Sequence, residues 1–312
     1  MSTHFRELET ALNTLGITDD GVVAPMSEFF VGRVPHQAYV QHWRPSGQVR
    51  VPKGAVVMIH GGFHTGSSWT TTPDGRAGWA PRFAALGWEV YVVDWPRTGR
   101  SGGSTPESVS LSAADVVDGL LALLDKVGPV MMVGHSIGAA LAFKTAECSP
   151  SGVRAIAALT PASVESPVVG WDPAPHDQYV VFTEEMARTL FANGDAFPHH
   201  AFANYHSSLV PLAPRIFNSS LGLNEDLKID SSRDPGWGSR IPVLLLTADQ
   251  DQLIPDVRAM ETSEALGVPL TRLAEDWGMS GHGHNVIVEL GTEEIARRVD
   301  AWLSGCLDND PA

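Results

Sequence analysis

Four apolar residues, Val130-Met131-Met132-Val133, run directly into Gly134-His135-Ser136-Ile137-Gly138, and no other feature constrains this chain as much. The apolar run reads as a strand. Ile137 to Phe143, rich in small residues, reads as the helix that follows. A strand that turns into a helix over one residue forces that residue into a strained, positive-φ conformation. Its neighbours must then be nearly free of side chain, which accounts for Gly134 and Gly138. The turn exposes the Ser136 hydroxyl at the end of a strand, beside a helix N-terminus. Free N–H groups at such an end attract negative charge. Ser136 is therefore a candidate nucleophile, and the Ile137 N–H a candidate donor to a developing oxyanion.

Elsewhere the chain alternates short apolar runs with amphipathic stretches. Phe5, Leu8, Leu12 and Leu15 have helical spacing and predict a small N-terminal helix. Glu28 to Val31 and Ala38 to Trp43 read as early strands. Ala55 to Ile59, Trp88 to Val93, Val130 to Val133, Ala155 to Leu159, Val243 to Thr247 and Leu270 to Leu273 read as further strands. Strands apolar on both faces belong to a parallel sheet covered by helices. Connecting helices are expected at Ala80–Leu86, Ala113–Lys126, Ile137–Cys148, Asp256–Leu266 and Thr292–Leu303. This order gives the α/β class, with a doubly wound, mostly parallel sheet and helices on both faces.

One region breaks the alternation. Between Pro161 and Arg240 the chain is rich in aromatics and prolines, including Trp171, Tyr179, Phe182, Phe191, Phe197, Phe202, Tyr205, Phe217 and Trp237. Glu184 to Phe191 predicts a helix there. A structureless loop of this length does not fit a compact domain. The expected organisation is a core formed by residues 1–160 and 241–312, with residues 161–240 inserted as a cap over the serine. The cap aromatics either line an apolar pocket or form the cap's own small core.

The chain has 312 residues, and its 21 Lys plus Arg against 36 Asp plus Glu give a formal charge of -15. Nucleic acid and anionic membrane surfaces are poor partners for such a chain. Cys148 and Cys306 provide no disulfide framework and read as free thiols. The first residues lack the apolar core of a signal peptide, and no apolar stretch is long enough to span a bilayer. A cytoplasmic location is the expectation that follows by default. No H-E-x-x-H or comparable ligand spacing occurs, so neither a metal nor a cofactor is expected.

Several separate motifs resemble the α/β-hydrolase superfamily, in order and over nearly the whole chain. His60-Gly61-Gly62-Phe63 ends a strand where that fold keeps its oxyanion loop. Asp94 through Ser101 resembles its D-x-x-G-x-G-x-S turn. The Gly134–Gly138 elbow follows. Ala248-Asp249-Gln250-Asp251-Gln252-Leu253-Ile254-Pro255 resembles its G-x-x-D-x-x-x-P acid loop, with Ala248 in place of the usual glycine. Gly283-His284-Asn285 precedes Glu289 and a terminal helix, as the family's histidine does. More narrowly, Ser68 through Arg76, with Gly78 and Trp79, is similar to bacterial and fungal serine esterases that read S-W-E-T-T-P-D-G-R-x-G-W.

A serine hydroxyl needs an adjacent base, and the base needs an orienting carboxylate. The resemblance implies the chain order Ser, Asp, His. His284 is the favoured base, with His282 as the alternative; His60 and His135 read as structural. In the esterase branch the acid is a glutamate ending the sixth strand, but Thr160 stands at that place. The resemblance then points to Asp251, with Asp249 and Glu165 as alternatives. The second oxyanion donor is expected from the N–H of Gly62, with Phe63 next in line. The expected activity is cleavage of an apolar carboxylic ester, or a lactone, through an acyl-enzyme. A carbon–carbon or other acyl-bond hydrolase, an acyltransferase, and a non-catalytic small-molecule binder of this fold are the alternatives. The oligomeric state is open, with a homodimer as one form.

Overall fold

The apolar runs assemble into one eight-stranded sheet, ordered β1-β2-β4-β3-β5-β6-β7-β8. The strands are β1 (Met26–Val31), β2 (Ala38–Trp43), β3 (Ala55–Ile59), β4 (Glu89–Asp94), β5 (Val130–His135), β6 (Val153–Leu159), β7 (Val243–Thr247) and β8 (Leu270–Arg272). A computed structural model of the protein describes residues 26–45, 51–103, 109–162, 172–229 and 240–308. The expected N-terminal helix, Glu165, Trp171 and Trp237 lie outside those residues.

β2 pairs antiparallel with both β1 and β4, and every pairing from β4 to β8 is parallel. Burial follows position in the sheet: the inner β2 is buried at five of six positions and the edge strand β8 is only half-buried throughout. β5 and β7 are buried at every position, while five of the six residues of the edge strand β1 are at least partly accessible. Burial on both faces requires helices on both faces.

The connecting helices are α1 (Trp79–Ala85), α2 (Ala113–Val127), α3 (Ile137–Cys148), α4 (Asp256–Leu266) and α5 (Thr292–Asp308). α2 starts on a capping box. The Ser112 side chain accepts from the Asp115 N–H, and the Asp115 carboxylate accepts from the Ser112 N–H. Gly128, at φ 82°, stops the helix. α3 packs on β5 and β6, and its Ala139, Ala140, Ala142, Phe143 and Ala146 are fully buried. Small residues let this helix approach the sheet closely. Burying a side chain as large as Phe143 contributes ~1.5–3 kcal/mol.

Several boundaries shift from expectation by one or two residues, and the end of α5 by more. β8 stops at Arg272 because Leu273 opens a short helix, Leu273–Trp277, and α5 runs beyond Leu303 to Asp308. In the segment between β6 and β7, Glu184–Met186 is α-helical, but Ala187–Phe191 is a π-turn closed by the Ala192 N–H on the Ala187 carbonyl. Helices Phe202–Ser208 and Pro214–Ser220 complete what is described of that segment.

Parallel strands leave their carboxyl ends on one edge. The loops that follow β3, β5, β6, β7 and β8 carry His60–His64, Ser136, Thr160, Asp251 and His284 in turn. In open α/β sheets, ligand crevices form at that edge.

Candidate active site

Ser136 stands between β5 and α3 at φ 56°, ψ -123°. Its N–H donates to the Leu159 carbonyl at 3.0 Å, and its own carbonyl accepts from Ala139 (3.0 Å) and Ala162 (3.1 Å). These bonds hold a conformation that a non-glycine residue otherwise avoids. A Cβ added at Gly138 would sit on the carbonyl oxygens of Ile59 and His60, and one added at Gly134 would sit on Ala139. Both glycines are therefore required by close backbone approach, with β3 on one side and the start of α3 on the other.

His284 Nδ1 lies 2.9 Å from Asp251 Oδ2, and both side chains are almost fully buried. A carboxylate accepts, so Nδ1 carries the proton and Nε2 keeps its lone pair. Nε2 has no hydrogen-bond partner among the described residues. The other carboxylate oxygen of Asp251 accepts from the N–H groups of Leu253 (2.9 Å) and Ile254 (2.8 Å). The alternative residues are placed differently. Asp249 accepts from the backbone of Gly281 (3.0 Å) and His282 (3.2 Å). His282 Nδ1 donates to Glu289 at 2.9 Å, and the Gly283 N–H donates to the same carboxylate at 3.1 Å. Burial pushes the Glu289 carboxyl above its usual range, against the pull of those two hydrogen bonds.

Thr160, where the esterase branch carries its glutamate, has a different partner. Its hydroxyl donates to the His284 carbonyl at 2.9 Å. His135 Nε2 donates to the same carbonyl, also at 2.9 Å. The backbone of His284 is thus gripped from the elbow and from the end of β6. Thr160 keeps a left-handed φ of 41° there. Burial holds the His135 ring well below its ordinary pKa, so it grips as a neutral donor.

The loop after β3 is a tight turn closed by the His64 N–H on the Gly61 carbonyl at 3.4 Å. Phe63, the third residue of that turn, has φ 64°. Each carbonyl of the turn is held from outside. His60 Nδ1 donates to Gly61 O (2.8 Å), His64 Nδ1 to Gly62 O (2.7 Å), and the Val210 N–H to Phe63 O (2.8 Å). His60 is stacked on Trp95 at 4.3 Å, and burial lowers its pKa to about 4. The turn after β4 braces the same region. The Asp94 carboxylate accepts from Gly66 (2.6 Å) and Arg100 (2.7 Å).

The Ser68–Trp79 stretch locks the histidine loop from below. Trp69 and Trp79 are fully buried and meet edge to face at 5.7 Å. Trp79 Nε1 donates to Thr292 at 2.7 Å. Arg76 donates to the Val288 carbonyl (3.0 Å), the Glu289 carbonyl (3.2 Å) and the Glu293 carboxylate (2.9 Å).

Ser136, Ile137, Gly62 and Phe63 open into one cleft with about 480 Å³ of atom-free space, counted to its solvent mouth. The remaining walls are Phe182, Phe191, Phe217, Ala162, Leu221, Leu253, Ile254 and Ser220, and none is charged. Phe63, Phe182 and Phe191 pack on one another, with ring centroids 4.3–6.1 Å apart. Phe191 also stacks on His284 at 5.6 Å and 12°. The aromatics between β6 and β7 thus divide, since Phe197, Phe202 and Tyr205 pack among themselves. Sequence reasoning named Tyr205 and Asn285 only within longer strings and did not name His64, and it did not find the buried hydrogen-bond chain that joins the three. It singled out Arg76 only as part of a motif. Cys148 and Cys306 are free thiols outside the cleft lining. Among the described residues no group of three or more His, Cys, Asp or Glu is arranged to hold a metal ion, and no helix is long and apolar enough to cross a membrane.

Residues 56–298 match the sequence profile described as "Alpha/beta hydrolase family". The chain is similar to a probable secreted lipase of a fungal species (strain ATCC 74256), with 23% identity over 327 residues that cover 85% of each protein. Its fold is similar to that of a candidate lipase from Acinetobacter baumannii AYE, at a TM-score of 0.65 and 16% identity, covering 99% of this chain and 98% of the other. It is also similar to the carboxylesterase CesB of Bacillus subtilis, at a TM-score of 0.58 and 16% identity, covering 96% and 98%.

Proposed function

The chain belongs to the alpha/beta hydrolase family, and on that premise we propose that it is a serine hydrolase cleaving apolar, uncharged carboxylic esters through an acyl-enzyme. The observation that carries this reading is the Asp251–His284 pair at 2.9 Å, with Nε2 unpartnered and the imidazole 5.0 Å from the ring of His135, the residue before the positive-φ Ser136. In the proposed reaction His284 Nε2 takes the Ser136 proton as Oγ attacks the ester carbonyl. The imidazolium that forms is stabilised by the ionised Asp251, which also keeps Nδ1–H in place. The Ile137 and Gly62 N–H groups receive the oxyanion, each worth ~3–4 kcal/mol in the transition state. His284 then returns the proton to the leaving alcohol, and water repeats the sequence on the acyl-enzyme. Apart from the ester and water, every group used belongs to the chain itself.

The substrate class rests on the walls. A cleft of Phe, Leu, Ile and Ala stabilises an apolar acyl or alcohol group and offers no counter-ion to a charged one. The relatives described as lipases and a carboxylesterase support ester chemistry. The Ser68–Trp79 string supports a place beside the esterases that carry it. A lactone of matching size reacts by the same steps.

A fluorophosphonate probe tests the reading. Wild type should be labelled at Ser136 and should turn over neutral chromogenic esters. Ser136→Ala should lose labelling and ~10⁴–10⁶ of the rate while melting like wild type. Failure of wild type to label, or more than a tenth of the activity in Ser136→Ala, would overturn it and favour a binding role for the cleft.

A further inference from the structure

Tyr205, His64 and Asn285 form a chain of buried hydrogen bonds in which every proton has only one place. The Gly62 carbonyl can only accept, so His64 Nδ1 donates to it at 2.7 Å. Burial lowers the His64 pKa to about 3, so the ring is neutral and its Nε2 is an acceptor. The Tyr205 hydroxyl, 2.9 Å away, therefore donates to Nε2. Tyr205 Oη in turn accepts from Asn285 Nδ2 at 2.9 Å, and the second amide hydrogen of Asn285 goes to the Phe191 carbonyl at 2.9 Å. His64, Tyr205 and Asn285 are all buried. The chain starts beside His284, passes through a helix of the β6–β7 segment and ends on the turn after β3.

The last link matters because a peptide unit is planar and trans. With the Gly62 carbonyl turned to His64, the Phe63 N–H of the same unit points the opposite way. Phe63 is held at φ 64°, a conformation that persists only with outside support. In the other tautomer of His64, two acceptor lone pairs would face each other across that 2.7 Å contact. The peptide would then be pushed out of position.

We propose that Tyr205 is a positioning residue for the oxyanion loop: by donating to His64 Nε2 it fixes the tautomer that holds the Gly62 carbonyl back, and so keeps the Phe63 N–H on the cleft side as a further donor to the oxyanion. The proposal rests on the serine-hydrolase reading. It also couples the β6–β7 segment to the chemistry, because the hydroxyl that sets the loop belongs to that segment.

Tyr205→Phe removes the hydroxyl and keeps the ring. Loss of one oxyanion donor lowers kcat by ~10²–10³, and a misplaced one by about 10² or somewhat less, with KM nearly unchanged. A pair of inhibitors separates this from general loosening. A trifluoromethyl ketone captured by Ser136 places an oxyanion in the hole, whereas the matching methyl ketone only fills the cleft. The substitution should weaken the first about tenfold or more and leave the second unchanged. Nitrogen NMR of the wild-type protein should show His64 protonated at Nδ1 and bare at Nε2. Unchanged kcat, equal weakening of both ketones, or an Nε2–H tautomer at His64 would each overturn the proposal. If Tyr205→Phe does not fold, the wild-type tautomer decides. A wild-type protein inert to fluorophosphonate but showing the Nδ1–H tautomer would instead mean that the hydrolase reading has failed.

Discussion

Replacing Asp251 with asparagine exchanges one oxygen for an NH₂ group, and the surrounding bonds dictate which oxygen. Oδ1 accepts from the Leu253 and Ile254 N–H groups, at 2.9 and 2.8 Å. An NH₂ there would face two donors, so the amide oxygen must take that side. The amide nitrogen then points at His284 Nδ1, 2.9 Å from the replaced Oδ2. Two N–H groups cannot share a hydrogen bond, so the His284 proton should move to Nε2. A ring with Nε2–H donates to the serine hydroxyl and cannot take its proton. The charge that would stabilise the imidazolium is also gone. Loss of both functions costs ~10⁴ in kcat, or about 5–6 kcal/mol of transition-state stabilisation. The fold loses one charge-assisted hydrogen bond, about 1.5–3 kcal/mol. Steady-state kcat on a chromogenic ester should therefore collapse in Asp251→Asn while a cooperative thermal transition remains. Activity above a tenth of wild type, or a His284 still protonated at Nδ1 by nitrogen NMR, would refute the reasoning.

The two loop histidines should separate. His284→Ala should lose ~10⁴–10⁶ of the rate, with little added by Ser136→Ala, because the groups act as one unit. His282→Ala should keep kcat within about tenfold but lower the urea midpoint, since it leaves the buried Glu289 with only the Gly283 N–H, a loss of ~1–3 kcal/mol. Stability should fall in mild acid. His60 and His64 have pKa values lowered to about 4 and about 3, so the folded chain refuses protons that the unfolded chain accepts below about 6.5. Their contribution is complete above that pH and is lost as pH falls, by about 3 kcal/mol per histidine at pH 4. Equal urea midpoints at pH 7 and pH 4.5 would contradict this. Gly138→Ala, whose methyl would sit on the Ile59 and His60 carbonyls, should cost about 3 kcal/mol or more. A wild-type melting temperature in that variant would show that the elbow has slack.

Much of the fold is written locally. Ala55–Ile59 and Val243–Leu246 are apolar at every position, and that alone marks a doubly covered strand. Ile137–Cys148 begins where Ser136 breaks the strand, so its start needed no tertiary information. The placement of Asp251 beside His284 followed from the resemblance of Ala248–Pro255 to the family's acid loop, once Thr160 had no charge to offer. The π-turn at Ala187–Phe191 was not legible, because five residues are too few to tell a period of 3.6 from a wider one. The Tyr205–His64 and Asn285–Tyr205 bonds join residues 141 and 80 apart, and a polar residue in a sequence carries no mark of a distant partner. The same holds for Arg76, whose grip on the Val288 and Glu289 carbonyls spans 212 and 213 positions.

The uncharged lining of the cleft also governs how a catalytic cycle would finish. Ester hydrolysis converts a neutral ligand into a carboxylate inside walls of Phe, Leu, Ile and Ala. That anion gives up hydration and finds no cationic side chain along those walls, a mismatch of several kcal/mol that its neutral precursor never met. The surrounding chain carries a formal charge of -15 and repels it further. In the proposed cycle the neutral alcohol leaves first, on acylation, and the acid half, formed last, is expelled by the act of forming it.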